Sequence, residues 1–206
     1  MEYAVATIKA GHDLIGAVKN AALFACTDDT LPAIAGVDLS WDNGALEVVA
    51  TDRYMLSRER VESAEVTSDD AGHLFIPRAQ VRQLASVKMD ASAPLVIDVR
   101  DGGATITLPC GSTMVVTAPY EGADFFNWRR LWDQLEADLA EQGAGGQVGA
   151  VSAWNPQYLA RFAKIRDGRG KPPNVKFTRV GGKFRDLIEC GPVRVLAMEV
   201  RVAGSS

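Results

Sequence analysis

The side chains with chemical potential in this sequence are basic residues at helical spacing. Arg78 and Arg82 stand one turn apart, opposite a stripe of Val81, Leu84 and Ala85, and Lys88 follows just beyond. Arg161, Lys164 and Arg166 repeat the arrangement, continued by Arg169 and Lys171 in a Gly- and Pro-rich stretch. An earlier helical segment offers Lys19, with His12 at its start. Lys and Arg gathered on one face suit contact with phosphates, which needs charge and ignores base sequence. The plainer reading of such residues is a solvated polar face. Segregation favours the first, because the acids cluster elsewhere, at Asp28-Asp29, 62–70 and 133–141. A net charge of −4 over 206 residues excludes a surface that is basic throughout.

Catalytic and metal-binding patterns do not emerge. The sequence holds no GxxxxGK[ST] loop, no HExxH pair and no Ser nucleophile elbow. Cys26, Cys110 and Cys190 are far apart and form no CxxC, and His12 and His73 are isolated. The expectation is a protein that is not an enzyme and takes no cofactor or metal. No apolar run approaches the roughly 20 residues of a membrane-spanning helix, and Met1–Val5 lacks the character of a signal peptide. A cytosolic location is expected.

The elements that must position these residues repeat three times. The first unit reads as an extended Tyr3–Ile8 and a helix from His12 to Cys26 with Leu14, Ile15, Val18, Ala21, Ala22 and Ala25 on one stripe. Strands follow at 36–41, 46–51 and 55–61, the first two joined by an Asn43-Gly44 hairpin signal. In the second unit Leu74–Ile76 is extended and Pro77 takes the first helical position. A helix to about Val87 and strands at 95–100, 105–108 and 113–117 complete it. The third opens at Val151–Trp154, with Asn155 as N-cap and Pro156 at N1. Leu159, Phe162 and Ala163 supply its buried stripe, and strands fall at 175–180, 184–189 and 194–202. Between the second and third units, Leu131, Leu135 and Leu139 mark a short amphipathic helix, and 142–146 reads as a flexible linker. The fold class is therefore α+β, three βαβββ units with helices on one face and antiparallel sheets on the other. Residues 1–124 are expected to form one complete domain, 125–146 an interdomain segment and 147–206 half a domain.

This grammar, with four passages at the unit ends, resembles the bacterial DNA polymerase III β sliding clamp family. Leu31–Val37 is similar to the family's Leu-Pro-x-Leu-x-Gly-hydrophobic passage, and Ala50–Leu56 to its Ala-Thr-Asp-x-aromatic-Arg-Leu turn. Glu121–Leu131 resembles its Glu-x-Glu-Phe-Pro-x-Tyr-Arg-Arg-Leu segment, and Met198–Val202 its terminal Met-Pro-Met-Arg-Leu. Met55 stands where the family has arginine, Phe126 and Glu199 where it has proline, and Trp128 where it has tyrosine. The family's subunit has six such units; the matches here are to its middle domain and the second half of its third.

The resemblance implies a processivity factor that encircles duplex DNA as a homo-oligomeric ring. Four chains of three units would match the family's twelve. Lys19, Arg78, Arg82, Lys88, Arg161, Lys164, Arg166, Arg169 and Lys171 would face the DNA. It also implies a pocket for peptides of polymerase and clamp loader, walled by Thr51, Arg53, Tyr54, Met55 and Leu56, by Phe126, Arg130 and Leu131, and by Leu196, Ala197, Met198 and Val200. The alternative is a clamp-fold adaptor or regulator that keeps the pocket without encircling DNA.

Overall fold

The computed structural model describes residues 6–68, 70–88, 94–100, 103–117, 125–142, 154–180 and 185–198. The first unit consists of β1 (Ala6–Ala10), α1 (His12–Ala21), β2 (Gly36–Asp42), β3 (Ala45–Thr51), β4 (Met55–Val61) and a short β5 (Glu65–Thr67). The second has β6 (Gly72–Pro77), α2 (Arg78–Ser86), β7 (Leu95–Arg100), β8 (Gly103–Thr107) and β9 (Thr113–Thr117). Then come α3 (Trp128–Gln142), α4 (Pro156–Phe162), β10 (Val175–Arg179), β11 (Arg185–Cys190) and β12 (Val193–Met198).

Two antiparallel sheets result. One runs β5-β1-β7-β8-β9, the other β10-β11-β12-β4-β3-β2-β6. The opening strand of each of the first two units thus crosses into the other unit's sheet: β1 pairs with β7, and β6 with β2. Sequence division at 125–146 does not interrupt the larger sheet, because β12 of the third unit pairs with β4 of the first, Leu196 opposite Leu56 and Ala197 opposite Met55.

Local chemistry explains the elements. Asn43 and Gly44 both hold positive φ (48° and 76°), as a two-residue hairpin between right-twisted strands requires. Gly36 is a glycine because β6 approaches it closely; an added Cβ would lie 2.3 Å from the Ile76 carbonyl oxygen. Asn155 caps α4 by accepting from the Gln157 N–H, with Pro156 behind it. Pro77 is instead the cap residue of α2 and the last residue of β6, since Arg78 N–H donates to the Ala35 carbonyl and the helix begins one residue later than expected.

Other boundaries moved for packing reasons. The first helix stops at Ala21, and residues 22–26 turn so that Phe24, absent from the expected stripe, is fully buried. β5 is a strand that the sequence does not announce, because three residues show no usable alternation. In α4 only Phe162 is buried; Leu159 and Ala163, expected in the stripe, are exposed, and Ile165 beyond the helix takes their place. The expected openings at Tyr3–Val5 and Val151–Ala153 lie outside the described residues, as do 199–202 of the last strand.

Alternation along the larger sheet sorts its side chains between two cores. Leu46, Val48, Ala50, Leu74, Ile76, Val193 and Val195 join α1, α2, Phe162 of α4 and the smaller sheet in the main core. Val49, Leu56, Phe75, Leu187 and Leu196 face the other way, onto Trp128, Trp132 and Leu135 of α3. The three unit helices therefore share one core and α3 covers the opposite face.

Inside the main core α1 meets β4 through polar groups. Asn20 Nδ2 donates to Glu59 Oε2 at 3.1 Å and to the Arg166 carbonyl at 3.3 Å, tying the first unit to the segment after α4. Burial pushes the Glu59 carboxyl up from 4.5 to about 7, against the lowering effect of the Asn20 bond and with Asp13 adding to the rise. A folded-state value above the unfolded one means that this group's stabilisation is complete below about 4.5 and lost as pH rises through 7. A difference of that size corresponds to about 3 kcal/mol. Glu59→Gln keeps an acceptor for Asn20 without the charge. Its stability, measured by denaturant melts at pH 5 and pH 8, should gain on the parent as pH rises; a constant difference would contradict the assignment.

Candidate functional site

The β4–β12 junction opens into an apolar groove. Its cavity of about 570 Å³ is lined by Thr30, Leu31, Pro32, Ala33 and Ile34, by Thr51, Arg53, Tyr54, Met55 and Leu56, by Phe126 and Leu131, and by Leu196 and Met198. Tyr54 and Met198, distant in sequence, meet here because Met198 N–H donates to the Tyr54 carbonyl at 2.9 Å, extending the β4–β12 ladder past Met55. Tyr54 (51% exposed), Leu131 (44%) and Met198 (47%) form its open rim. Large apolar side chains exposed together, rather than singly, mark a surface meant for a partner.

The turn from Thr51 to Met55 shapes one wall. Thr51 Oγ1 donates to the Met55 carbonyl at 2.8 Å and accepts from Arg53 N–H. Asp52 Oδ1 accepts from the N–H groups of Tyr54 and Met55 at 3.0 and 2.9 Å. These bonds hold Arg53 at φ 79°, a conformation uncommon for a residue with a side chain. Asp52 Oδ2 faces the third unit, where Arg161 Nη1 lies 2.6 Å away.

Among the expected pocket residues, Arg130, Ala197 and Val200 are not in this lining. Arg130 projects to solvent while its neighbour Arg129 turns inward to Glu47 and Ser40. Ala197 is fully buried because alternation along β12 gives it to the main core and leaves Leu196 and Met198 on the groove side. Val200 lies outside the described residues. Met55 lines the groove yet is 1% exposed and belongs to the main core, so it is wall rather than anchor. Residues 30–34 were missed as wall residues, although Leu31–Val37 is a passage that carried the resemblance. Pro32–Ile34 forms a 3₁₀ turn that brings them over the groove.

The basic residues divide into free and engaged. Lys19, Arg82, Lys88, Lys164, Arg169 and Lys171 are exposed. The Asp167 carboxylate, held low by backbone N–H bonds from Lys171 and Arg169, shapes the loop that carries the last two. Arg78 donates to the Thr27 carbonyl, and Arg166 to the carbonyls of Ala163 and Ile165. Arg161, besides its pair with Asp52, lies over the Tyr158 ring at 4.9 Å and the Phe24 ring at 6.0 Å. It is committed within the fold, unlike its neighbour Lys164.

Among the described residues no group of three His, Cys, Asp or Glu side chains could hold a metal, and no helix is long and apolar enough to cross a membrane. Cys26 and Cys190 are buried thiols and Cys110 an exposed one.

Comparison with known proteins places the geometry. No curated protein matches the chain in sequence. The DNA polymerase sliding clamp of Pseudomonas aeruginosa is similar in structure with a TM-score of 0.76 at 14% identity, over 98% of this chain and 68% of that one. The DNA polymerase III beta subunit of Thermotoga maritima gives 0.70 at 11% identity, over 96% and 65%. The Helicobacter pylori beta clamp, bound to a DNA ligase peptide, gives 0.71 at 12% identity, over 98% and 67%. At such identities the likeness is one of fold. The family model for the central domain of the DNA polymerase III beta subunit matches residues 10–118, more than half of the sequence, and by that match the chain belongs to the DNA polymerase III beta subunit family, a non-catalytic clamp-fold family.

Proposed function

We propose that the chain is a processivity factor of the sliding-clamp kind, which encircles duplex DNA as a homo-oligomeric ring in the cytoplasm and holds polymerase, clamp loader and other partners by short peptides. The observation that carries the partner-binding part of this reading is the groove at the β4–β12 junction, apolar, open at its rim and built from segments that match the family's passages. In this reading residues 1–124 are a complete clamp domain, 125–146 the interdomain segment and 147–206 half a domain. The Helicobacter pylori relative, whose structure carries a DNA ligase peptide, supports a peptide as occupant.

Met198 at the rim is the anchor to test. Met198→Asp sets a charge where an apolar side chain would dock, and losing such an anchor typically costs on the order of 1–2 kcal/mol or more. The variant should bind a fluorescein-labelled DNA ligase peptide at least tenfold more weakly, with the melting temperature kept. Equal binding by a folded variant would remove the groove from this role.

Contact with DNA would fall to the exposed cations. Replacing Arg82, Lys88, Lys164 and Arg169 by alanine should reduce retention on circular DNA and flatten its salt dependence. Unchanged retention favours the alternative, a clamp-fold adaptor that does not encircle DNA. That reading has one observation behind it: Arg78, Arg161 and Arg166 are already bonded within the chain.

Ring formation needs self-association, and two sheet edges suit it. Among the described residues β9 pairs only with β8 and exposes Val115, while β10 pairs only with β11 and exposes Val175 and Phe177. Open edges with apolar side chains are surfaces that native proteins usually cover. Four copies of three units are the proposed ring. Sedimentation should give a mass of four chains, and a single-chain mass at every concentration would exclude a ring.

A further inference from the structure

We infer that Arg161 is a positioning residue for the groove: from the third unit it fixes the Asp52 carboxylate, through it the Thr51–Met55 turn, and so sets the groove's affinity for an apolar peptide. The inference rests on the peptide-groove reading and adds to it a determinant that touches no peptide.

The geometry is a relay of three contacts. Arg161 Nη1 holds Asp52 Oδ2 at 2.6 Å, and both side chains are mostly covered. The other carboxylate oxygen, Oδ1, accepts from Tyr54 and Met55 N–H. A carboxylate bonded on one side only can rotate about its Cβ–Cγ bond; the guanidinium removes that freedom. The turn needs the restraint, because Arg53 at φ 79° sits where a side chain is disfavoured. The same guanidinium lies over the Tyr158 ring, and Tyr158 stacks on Tyr54 with centroids 6.1 Å apart and planes at 29°. Arg161 therefore meets Tyr54 from two directions, through its backbone and through its ring. Tyr54 is one of the three exposed rim residues, and its order before binding is worth affinity, because a side chain already fixed loses less freedom when a partner arrives.

Three variants test this with the DNA ligase peptide as probe. Arg161→Met keeps the stem over Phe24 and Tyr158 but removes the charge. Losing a bond that also ties the third unit to the first should lower the melting temperature, so binding is read well below that transition, where the still-folded variant should show a peptide Kd raised five- to tenfold. Arg161→Lys should recover most of the affinity. Asp52→Asn should weaken binding similarly, and Asp52→Asn with Arg161→Met should be no worse than either alone, since residues that act as one unit are not additive. A purely structural role would instead lower the melting temperature and leave the Kd of the folded variants at the parent's value, which would overturn the inference. So would loss of DNA retention with unchanged peptide affinity, the mark of a phosphate contact. If Met198→Asp abolishes binding while Arg161→Met leaves it unchanged, the groove stands and the positioning role falls. If neither variant changes binding, or the parent does not bind, the groove reading itself fails and this inference with it.

Discussion

The structure depends on one strand pairing. β12 lies antiparallel to β4 over Val193–Ala197 and Met55–Glu59, more than a hundred residues apart in the chain. Without it the third unit would be a detached hairpin pair and a seven-residue helix, each too small to bury its own apolar face. With it, β10 and β11 become part of a sheet whose inner side chains already have α1 and α2 to pack on. The pairing also continues one hydrogen bond past the sheet, from Met198 to Tyr54, and that bond brings two half-exposed side chains onto one rim. Stability and the candidate site share a cause.

The outer face needs its own cover, and α3 supplies it. Trp128 and Trp132 lie on Val49, Leu56 and Leu196, and three arginines of the sheet and helix surround the rings. Arg58 sits 5.6 and 5.2 Å from the two indoles, Arg129 lies 4.7 Å from Trp128, and Arg194 lies 5.3 Å from Trp132. The cations are balanced by Glu47, bonded to Arg58 and Arg129, and by Glu136, which accepts from Trp132 Nε1 and Arg194. Planar guanidinium groups suit this place, since they stack on rings and bond carboxylates at once. Lysine would keep the charge and lose the stacking.

The fold was legible wherever a local rule sufficed. Asn43-Gly44, the Asn155-Pro156 helix start and the α1 stripe each encode their element without help from elsewhere, and the structure agrees, for α1 as far as Ala21. Legibility ended where tertiary packing decided. Leu159 and Ala163 have helical spacing, but α4 is so short that its buried side is set by Phe162 and Ile165 against Phe24 and the sheet. The full length of α3 is not legible because Leu131, Leu135 and Leu139 mark only its middle, whereas Trp128, which opens the helix and packs on the sheet, falls in the 121–131 passage. In the site, the residues of the 51–56 turn and of β12 are foreseen but those of the 30–34 turn are not, and the resemblance does not say which side of β12 faces the groove. Nor could spacing show that Arg161 has an acid 109 positions away for a partner. Charge on a helix face looks the same in a sequence whether it meets water, a phosphate or a carboxylate.

That ambiguity has a physical resolution in how the polar and apolar demands of the third unit are met. α4 is seven residues long and buries one of them fully, so apolar contact alone holds it weakly. Directional bonds do the rest: Asn155 caps its start, Asn20 grips the backbone of Arg166 beyond its end, and Arg161 reaches Asp52 in between. Each of the last two crosses from the third unit to the first. They converge on the two ends of β4, Asn20 through Glu59 and Arg161 through the turn that precedes Met55. The strand that carries the pairing with β12 is thus clamped on its inner side by polar contacts from the same unit that β12 belongs to. A partner seated at Tyr54 and Met198 would press on a wall already fixed from behind, and this is why the rim can stay exposed and apolar without the turn beneath it collapsing into the core.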